Sequence, residues 1–357
     1  MNLFFIADTF SPLLSSAQCN ELLTKAAQEI FPQATFSSQT YKKGEDCFLF
    51  LAQQSLRMLH YSKSHDPFGH AFRVPYLLSE TGKAYLDAGI IAGKEFLKQE
   101  NFLQASSRGI GEVIRDAINR GAKEIYLSLS GLATFDGGMG LLQALGYRFL
   151  RVGKEIAGTG EDLSLLTSID DHNKDSRLEK IKIYLLEDTK IPYQRAILSS
   201  FYGEKAGIKM KKKMQVSLYH YRKILHETKR QDVFTLASGG CGGGLSGALQ
   251  VLLQAKVLSG ARGFLRFNDS AEQIKKMDYV VTSAYPKSAL CRAVSEICRQ
   301  EKVPCAYLGG ADTKLNASFS QILPPTEARI DERQFRQEAV SLLLQIREDY
   351  LLNRSLL

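Results

Sequence analysis

Residues 106–146 read "SSRGIGEVIRDAINRGAKEIYLSLSGLATFDGGMGLLQALG". Val113, Ile114 and Ile118 put apolar side chains at helical spacing, and Gly121 supplies a C-cap. "EIYLSLSG" (124–131) then reads as a buried strand. The chain turns through Thr134, Asp136, Gly137 and Gly138 and enters a second helix. A helix, a strand and a helix joined by short turns are the repeating unit of a parallel α/β protein, whose ligands sit at the carboxyl ends of strands.

The same alternation extends outward. "NLFFIA" (2–7) reads as a strand, Ser15 or Ser16 caps a helix to about residue 31, a strand follows at 34–41, and a helix is expected at 45–60. Residues 68–86 look strand-like with a hairpin turn at "ETGK". After a loop-rich stretch at 151–178 comes the strand "IKIYLLED" (181–188), then helices at 193–204 and 214–230. "DYVVTSA" (strand), "KSALCRAVSEICRQE" (helix), "VPCAYLGG" (strand) and a long amphipathic helix at 331–353 close the chain.

At 357 residues, with 44% hydrophobic and 24% charged residues, two globular domains are expected. No apolar run is long enough for a membrane span, and the N-terminus lacks a basic leader, so the expectation is a cytoplasmic protein. The six cysteines and six histidines show neither CxxC nor HExxH spacing, which argues against disulfides and zinc. A net charge of +8 suits anionic partners. Its densest cluster, Lys209 and Lys211 to Lys213, lacks the aromatic interleaving of nucleic-acid modules, so nucleic acid is not the expected partner.

"ASGGCGGGLSGALQ" (237–250) places Gly239, Gly240, Gly242, Gly243 and Gly244 at the start of an apolar helix. Such a turn either offers free amides to an anion or packs tightly under a helix terminus. No GxxxxGK[ST] run exists, which excludes a Walker phosphate loop.

Taken together, these motifs resemble the type I glycerate kinases. "ADTFSPLLSS" (7–16) is similar to that family's "PDSFKGSLSA", "SSRGIGEVI" to "TSYGTGELI", and "SGLATFDGGMGLLQALG" to "GGSATNDGGxGxLQALG". Residues 188–192 resemble "DVxNP", 201–207 "FGPQKGA", 237–246 "PGAGAAGGLG", and "KVPCAYLGG" the closing "GVPVIAIAG". The pattern departs at Ser11 for lysine, Lys42 for aspartate, Leu132 for serine, and Phe135 and Ile191 for asparagines, and no "TGEGRxDxQT" follows residue 282.

The resemblance implies a Rossmann-like parallel-sheet domain built from both chain ends (1–75 and 270–357) and an inserted α/β domain (76–269), with substrate in the cleft between. It implies ATP-dependent phosphorylation of D-glycerate or a related small hydroxy acid, with Mg²⁺. Asp188 is then the base or magnesium ligand, or merely a cap for the following helix. Lys205 and Asp8 complete the catalytic candidates. Arg108, Gly109, Gly111, Thr134, Asp136, Gly137, Gly138, Gly239, Gly240, Gly242 and Gly243 are candidates for substrate or phosphate contact, although Asp136 reads equally as a clamp on the amides of its own loop. Glu45 is either a site residue or a helix start. The alternative is an inert scaffold whose cleft Leu132, Phe135 and Ile191 fill, acting as a ligand-binding or protein-interaction module. A homo-oligomer is left open.

Overall fold

The computed structural model describes residues 1–10, 14–42, 46–96, 102–199, 206–285, 287–312, 314–323 and 330–355. The chain divides into two units, Met1–Lys43 with Ala261–Leu357, and Gly44–Gly260. The sequence had placed 44–75 with the chain ends. Instead Leu59–His65 and Ala71–Leu78 form an antiparallel ladder that joins Lys83–Asp87, so their backbone hydrogen bonds belong to the inserted unit.

The unit of the chain ends holds a five-stranded parallel sheet in the spatial order Phe319–Leu323, Cys305–Gly310, Tyr279–Ala284, Asn2–Ala7, Thr35–Ser38. Leu3, Phe5 and Val281 pack with the helices Ser16–Ile30 and Glu332–Ser355, while the alternating Phe4, Ile6 and Val280 are equally buried on the other face. Burial on both faces is what turns parallel strands into near-continuous apolar runs. Ser15 caps the first helix through a capping box with Gln18. Strand order reverses between Asn2–Ala7 and Tyr279–Ala284, which makes their carboxyl ends the topological switch point of a doubly wound sheet.

The inserted unit has a six-stranded sheet in the order Lys256–Leu258, Lys182–Leu186, Glu124–Ser128, Lys83–Asp87, Ala71–Leu78, Leu59–His65, of which the first four run parallel. The helices Arg108–Asn119, Met139–Ala144, Ile208–Lys229 and Leu245–Leu253 contribute to its main core. The expected helix at 45–60 stops at Gln54, and Leu59–His65 is a strand. The loop-rich stretch contributes Lys154–Glu155 and Ser168–Asp170 to a small sheet with Arg148–Arg151. The helix foreseen at 214–230 begins at Ile208, so the lysine run is its first turns rather than a loop before it.

Candidate active site

In the inserted unit, register sets three strand ends level. Asp87 lies opposite Ser128, and Ser128 opposite Leu186, after which the chain continues into Glu187 and Asp188. Asp188 is exposed, and its Oδ1 accepts a hydrogen bond from the Gly260 amide at 3.0 Å. It thus holds the start of the helix Gly260–Phe267, not the short 3₁₀ segment Tyr193–Ser199 for which a cap was expected. The loop that carries it is braced from both ends. Glu187 accepts from the Thr189 amide and hydroxyl, each at 2.8 Å, and Ser238 donates to the Thr189 carbonyl at 3.0 Å. Asp87 is buried and accepts from the amides of Gly89 and Ile90. Sequence reasoning singled out neither Asp87, Ser128 nor Glu187. The strand-end rule applied to "AYLDAG" and "YLSLSG" would have found the first two.

The glycine run answers its question with packing. Residues 238–249 are buried. A Cβ on Gly240 would stand 2.3 Å from the Pro192 carbonyl oxygen, and one on Gly243 (φ +63°) 2.6 Å from that of Thr134. The amides of Gly239, Gly240, Cys241, Gly244 and Gly247 donate to the carbonyls of Leu236, Ile191, Ser238, Gly240 and Gly239. These five donors are spent inside the unit, and Leu132 lies against Gly242. The run therefore brings the 187–192 loop and the 134–135 turn together, as required if Asp188 and the glycine motifs are to share one region. Gly240→Ala is expected to cost about 3 kcal/mol, because the added methyl meets backbone on a closed side. A urea titration reads this. An unchanged midpoint with lost nucleotide binding would return the loop to the ligand.

Asp136 is fully buried. Its Oδ2 accepts from the Ser107 amide and hydroxyl, each at 2.7 Å, and from the Gly140 amide at 3.2 Å, while Oδ1 accepts from the Gly138 amide at 3.0 Å. Burial pushes its carboxyl above the ordinary range, against these four donors that pull it down. The carboxylate is a clamp on its own loop and on the start of the helix Arg108–Asn119. Gly109 and Gly111 on that helix are likewise taken up by packing, since Cβ atoms there would meet the His65 and Leu141 carbonyl oxygens at 2.0 and 2.2 Å. Arg108 is exposed and pairs with Glu112 at 3.2 Å. Gly137 and Gly138 turn with positive φ against Tyr221 and Leu245. Thr134 differs from these. Its hydroxyl is buried with no hydrogen-bond partner among the described residues. Glu45, Lys205 and Ser11 lie outside the described residues.

The helix Ile208–Lys229 is tied to the approach of the glycine run by Arg222, which donates to Asp232 at 2.8 Å and stacks 3.9 Å from the Phe234 ring centroid. This hydrogen bond holds the Asp232 carboxyl down at about 2. A depressed carboxylate stabilises the fold above its unfolded value and loses that contribution as pH falls through the folded one. Stability should therefore drop by about 1 kcal/mol between about pH 4 and 2, after discounting for partial exposure, and Arg222→Gln should flatten that segment of the melting-temperature profile.

In the other unit, Asp8 follows the first strand at the switch point, half-buried. It accepts from the Thr9 amide at 2.7 Å and from the Ser288 hydroxyl at 2.6 Å, and Ser288 in turn caps the helix Ala289–Glu301. Beside it the Ser283 hydroxyl is buried with no hydrogen-bond partner among the described residues. Both switch-point hydroxyls and the carboxylate thus surround the strand ends where doubly wound sheets take ligands.

The architecture defines a two-unit α/β protein with a doubly wound sheet and strand-end carboxylates in each unit. The glycerate kinase family model matches residues 4–350, and the chain belongs to that family. It is 27% identical to a glycerate kinase of Bacillus cereus, over 91% of this chain and 92% of that one. It is 28% identical to the glycerate 2-kinase of Escherichia coli, over 79% and 76%. A solved structure of a putative glycerate kinase 2 from Salmonella typhimurium superposes with a TM-score of 0.75 at 24% identity, covering 98% of this chain and 99% of that one, which shows the shared fold. Among the described residues no helix is long and apolar enough to cross a membrane.

Proposed function

We propose that this chain is a glycerate kinase that transfers the γ-phosphoryl group of ATP to D-glycerate or a related small hydroxy acid. Family membership gives the reaction class, and the observation that carries it to this chain is Asp188, an exposed carboxylate at a parallel strand end on a loop braced by Glu187, Ser238 and Gly260. Phosphoryl transfer asks a protein mainly to position and to stabilise charge. Asp188 would take the proton of the attacking hydroxyl or hold the metal. Lys205, by resemblance, would face phosphate.

Among the described residues no three acidic, histidine or cysteine side chains converge into a metal cage. Mg²⁺ in kinases is commonly held by one or two carboxylates together with phosphate oxygens, and Asp188 fits that role. Bound there, Mg²⁺ would neutralise the charge of the transferring phosphoryl group. The orphaned hydroxyls of Thr134 and Ser283 fit polar ligand groups, since buried hydroxyls are normally hydrogen-bonded. Asp8, beside Ser283, would accept from a ligand hydroxyl.

Two of the replaced family positions, Leu132 and Phe135, belong to the packing of the unit. Phe135 is fully buried in the main core and Leu132 packs beside it, so both act on packing. The test is ADP release by the folded protein with ATP and Mg²⁺, with and without D-glycerate. D-glycerate-dependent release is expected, and its absence across small hydroxy acids would overturn the reading in favour of an inert scaffold.

A further inference from the structure

Far along the inserted unit's sheet, a groove of about 690 Å³ runs between the strand Leu59–His65 and the outer side of the helix Arg108–Asn119. This strand ends the sheet among the described residues. The Asp66 amide bonds the His70 carbonyl across the hairpin at 2.9 Å, so residues 60, 62 and 64 direct their backbone groups to the neighbouring strand. By the antiparallel alternation, Tyr61, Lys63 and His65 present theirs outward. The outward amide of His65 is already taken by a carboxylate, Glu112 Oε2 at 3.1 Å, which also meets the His65 ring at 2.9 Å. One and two strand periods further, Lys63 and Tyr61 line the groove.

The groove's charge is one-sided. Its carboxylates are spent, Glu112 on His65, Ser64 and Arg108, and Asp116 on Tyr76 and Arg120. Lys63 stands directly opposite Arg73 in the hairpin, in the closer, non-hydrogen-bonded type of pair. Like charges so placed destabilise a sheet. Among the described residues neither has a carboxylate in ion-pair distance, and Arg73 rests over the Tyr61 ring. Arg115, whose Nη1 donates to the Ala144 carbonyl at 3.2 Å, adds a third cation from the helix through its remaining N–H groups.

We infer that this edge binds an extended acidic segment of a partner protein by strand addition, its backbone pairing with Tyr61 and Lys63 and its carboxylates meeting Lys63, Arg73 and Arg115. An edge strand gives such a ligand main-chain hydrogen bonds, and the flanking side chains give it specificity. The lining spans residues 61–65 of the strand, about 13 Å, and 112–120 of the helix end, about 12 Å, enough for four or five extended residues. Two copies of this chain would oppose lysine to lysine at the same edge, which disfavours self-pairing.

A fluorescein-labelled, capped nonapeptide alternating glutamate and threonine, and its glutamine counterpart, would be titrated by anisotropy into the full chain. The acidic peptide is expected to bind at least about tenfold tighter. It should also slow amide exchange at Tyr61 and Lys63. Arg73→Thr and Arg115→Gln, which keep strand and helix propensity, should each weaken it several-fold. Lys63→Pro removes an outward N–H that the hairpin does not use, and should weaken both peptides. Equal binding of the two peptides, or indifference to the charge substitutions, would overturn the proposal. So would displacement by tripolyphosphate without exchange protection at Tyr61 and Lys63, which would mark a small-anion site, and so would edge-dependent dimers in sedimentation.

Discussion

Asp188→Asn is expected to lower D-glycerate-dependent ADP release by about 10²- to 10⁴-fold, the range for losing a general base. The fold should not change. Asparagine keeps the Oδ1 that accepts the Gly260 amide at 3.0 Å, and the position is exposed, so stability should stay within about 0.5 kcal/mol of the parent. The form of the loss separates the two roles. If Asp188 is the base, the variant loses the acidic limb of the kcat/KM pH profile and added Mg²⁺ does not help. If it holds the metal, raising Mg²⁺ recovers part of the rate. Unchanged turnover would remove Asp188 from the chemistry and send attention to Asp8, whose own carboxylate is shared with the Ser288 hydroxyl at 2.6 Å.

The strand and helix alternation that makes the sheets parallel was legible because buried strands such as "NLFFIA" and "YVVTSA" are continuous apolar runs bounded by turns. Leu59–His65 was not. Its residues "LHYSKSH" carry hydroxyls on the inner face, where Ser62 and Ser64 are buried, and no apolar alternation marks them. That one missed strand moved the domain boundary by some thirty residues. The site was legible in outline only. Asp136 and Asp188 both follow strands in the sequence, yet one is fully buried under four donors and the other faces solvent. Burial depends on what packs over a turn from elsewhere, here Ser107, and the local sequence does not encode it. The glycine run shows the same limit. A glycine that admits a phosphate and a glycine that admits the Pro192 carbonyl have one sequence signature.

Asp136→Ala is expected to destabilise the protein by about 3–5 kcal/mol, because it leaves several buried donors without their acceptor. The substitution strands the amides of Ser107, Gly138 and Gly140 and the Ser107 hydroxyl, whose oxygen itself accepts from the Leu141 amide at 3.0 Å. Each orphaned buried donor costs about 1–3 kcal/mol, and because they share one acceptor the costs do not simply add. Domains are stable by only about 5–15 kcal/mol, and for a unit of this size the variant should melt about 6–20 °C lower. Asp136→Asn gives a graded comparison. Its oxygen can replace Oδ2, which serves three donors, while its NH₂ must face the Gly138 amide. It should lose less, about 1–2 kcal/mol. Calorimetry of both variants decides between the two roles the sequence left open. A clamp predicts this order of melting temperatures, with turnover per folded molecule falling only as the 106–108 and 138–140 turns loosen. If both variants melt with the parent while turnover vanishes, Asp136 touches substrate, and the turn must open to admit it.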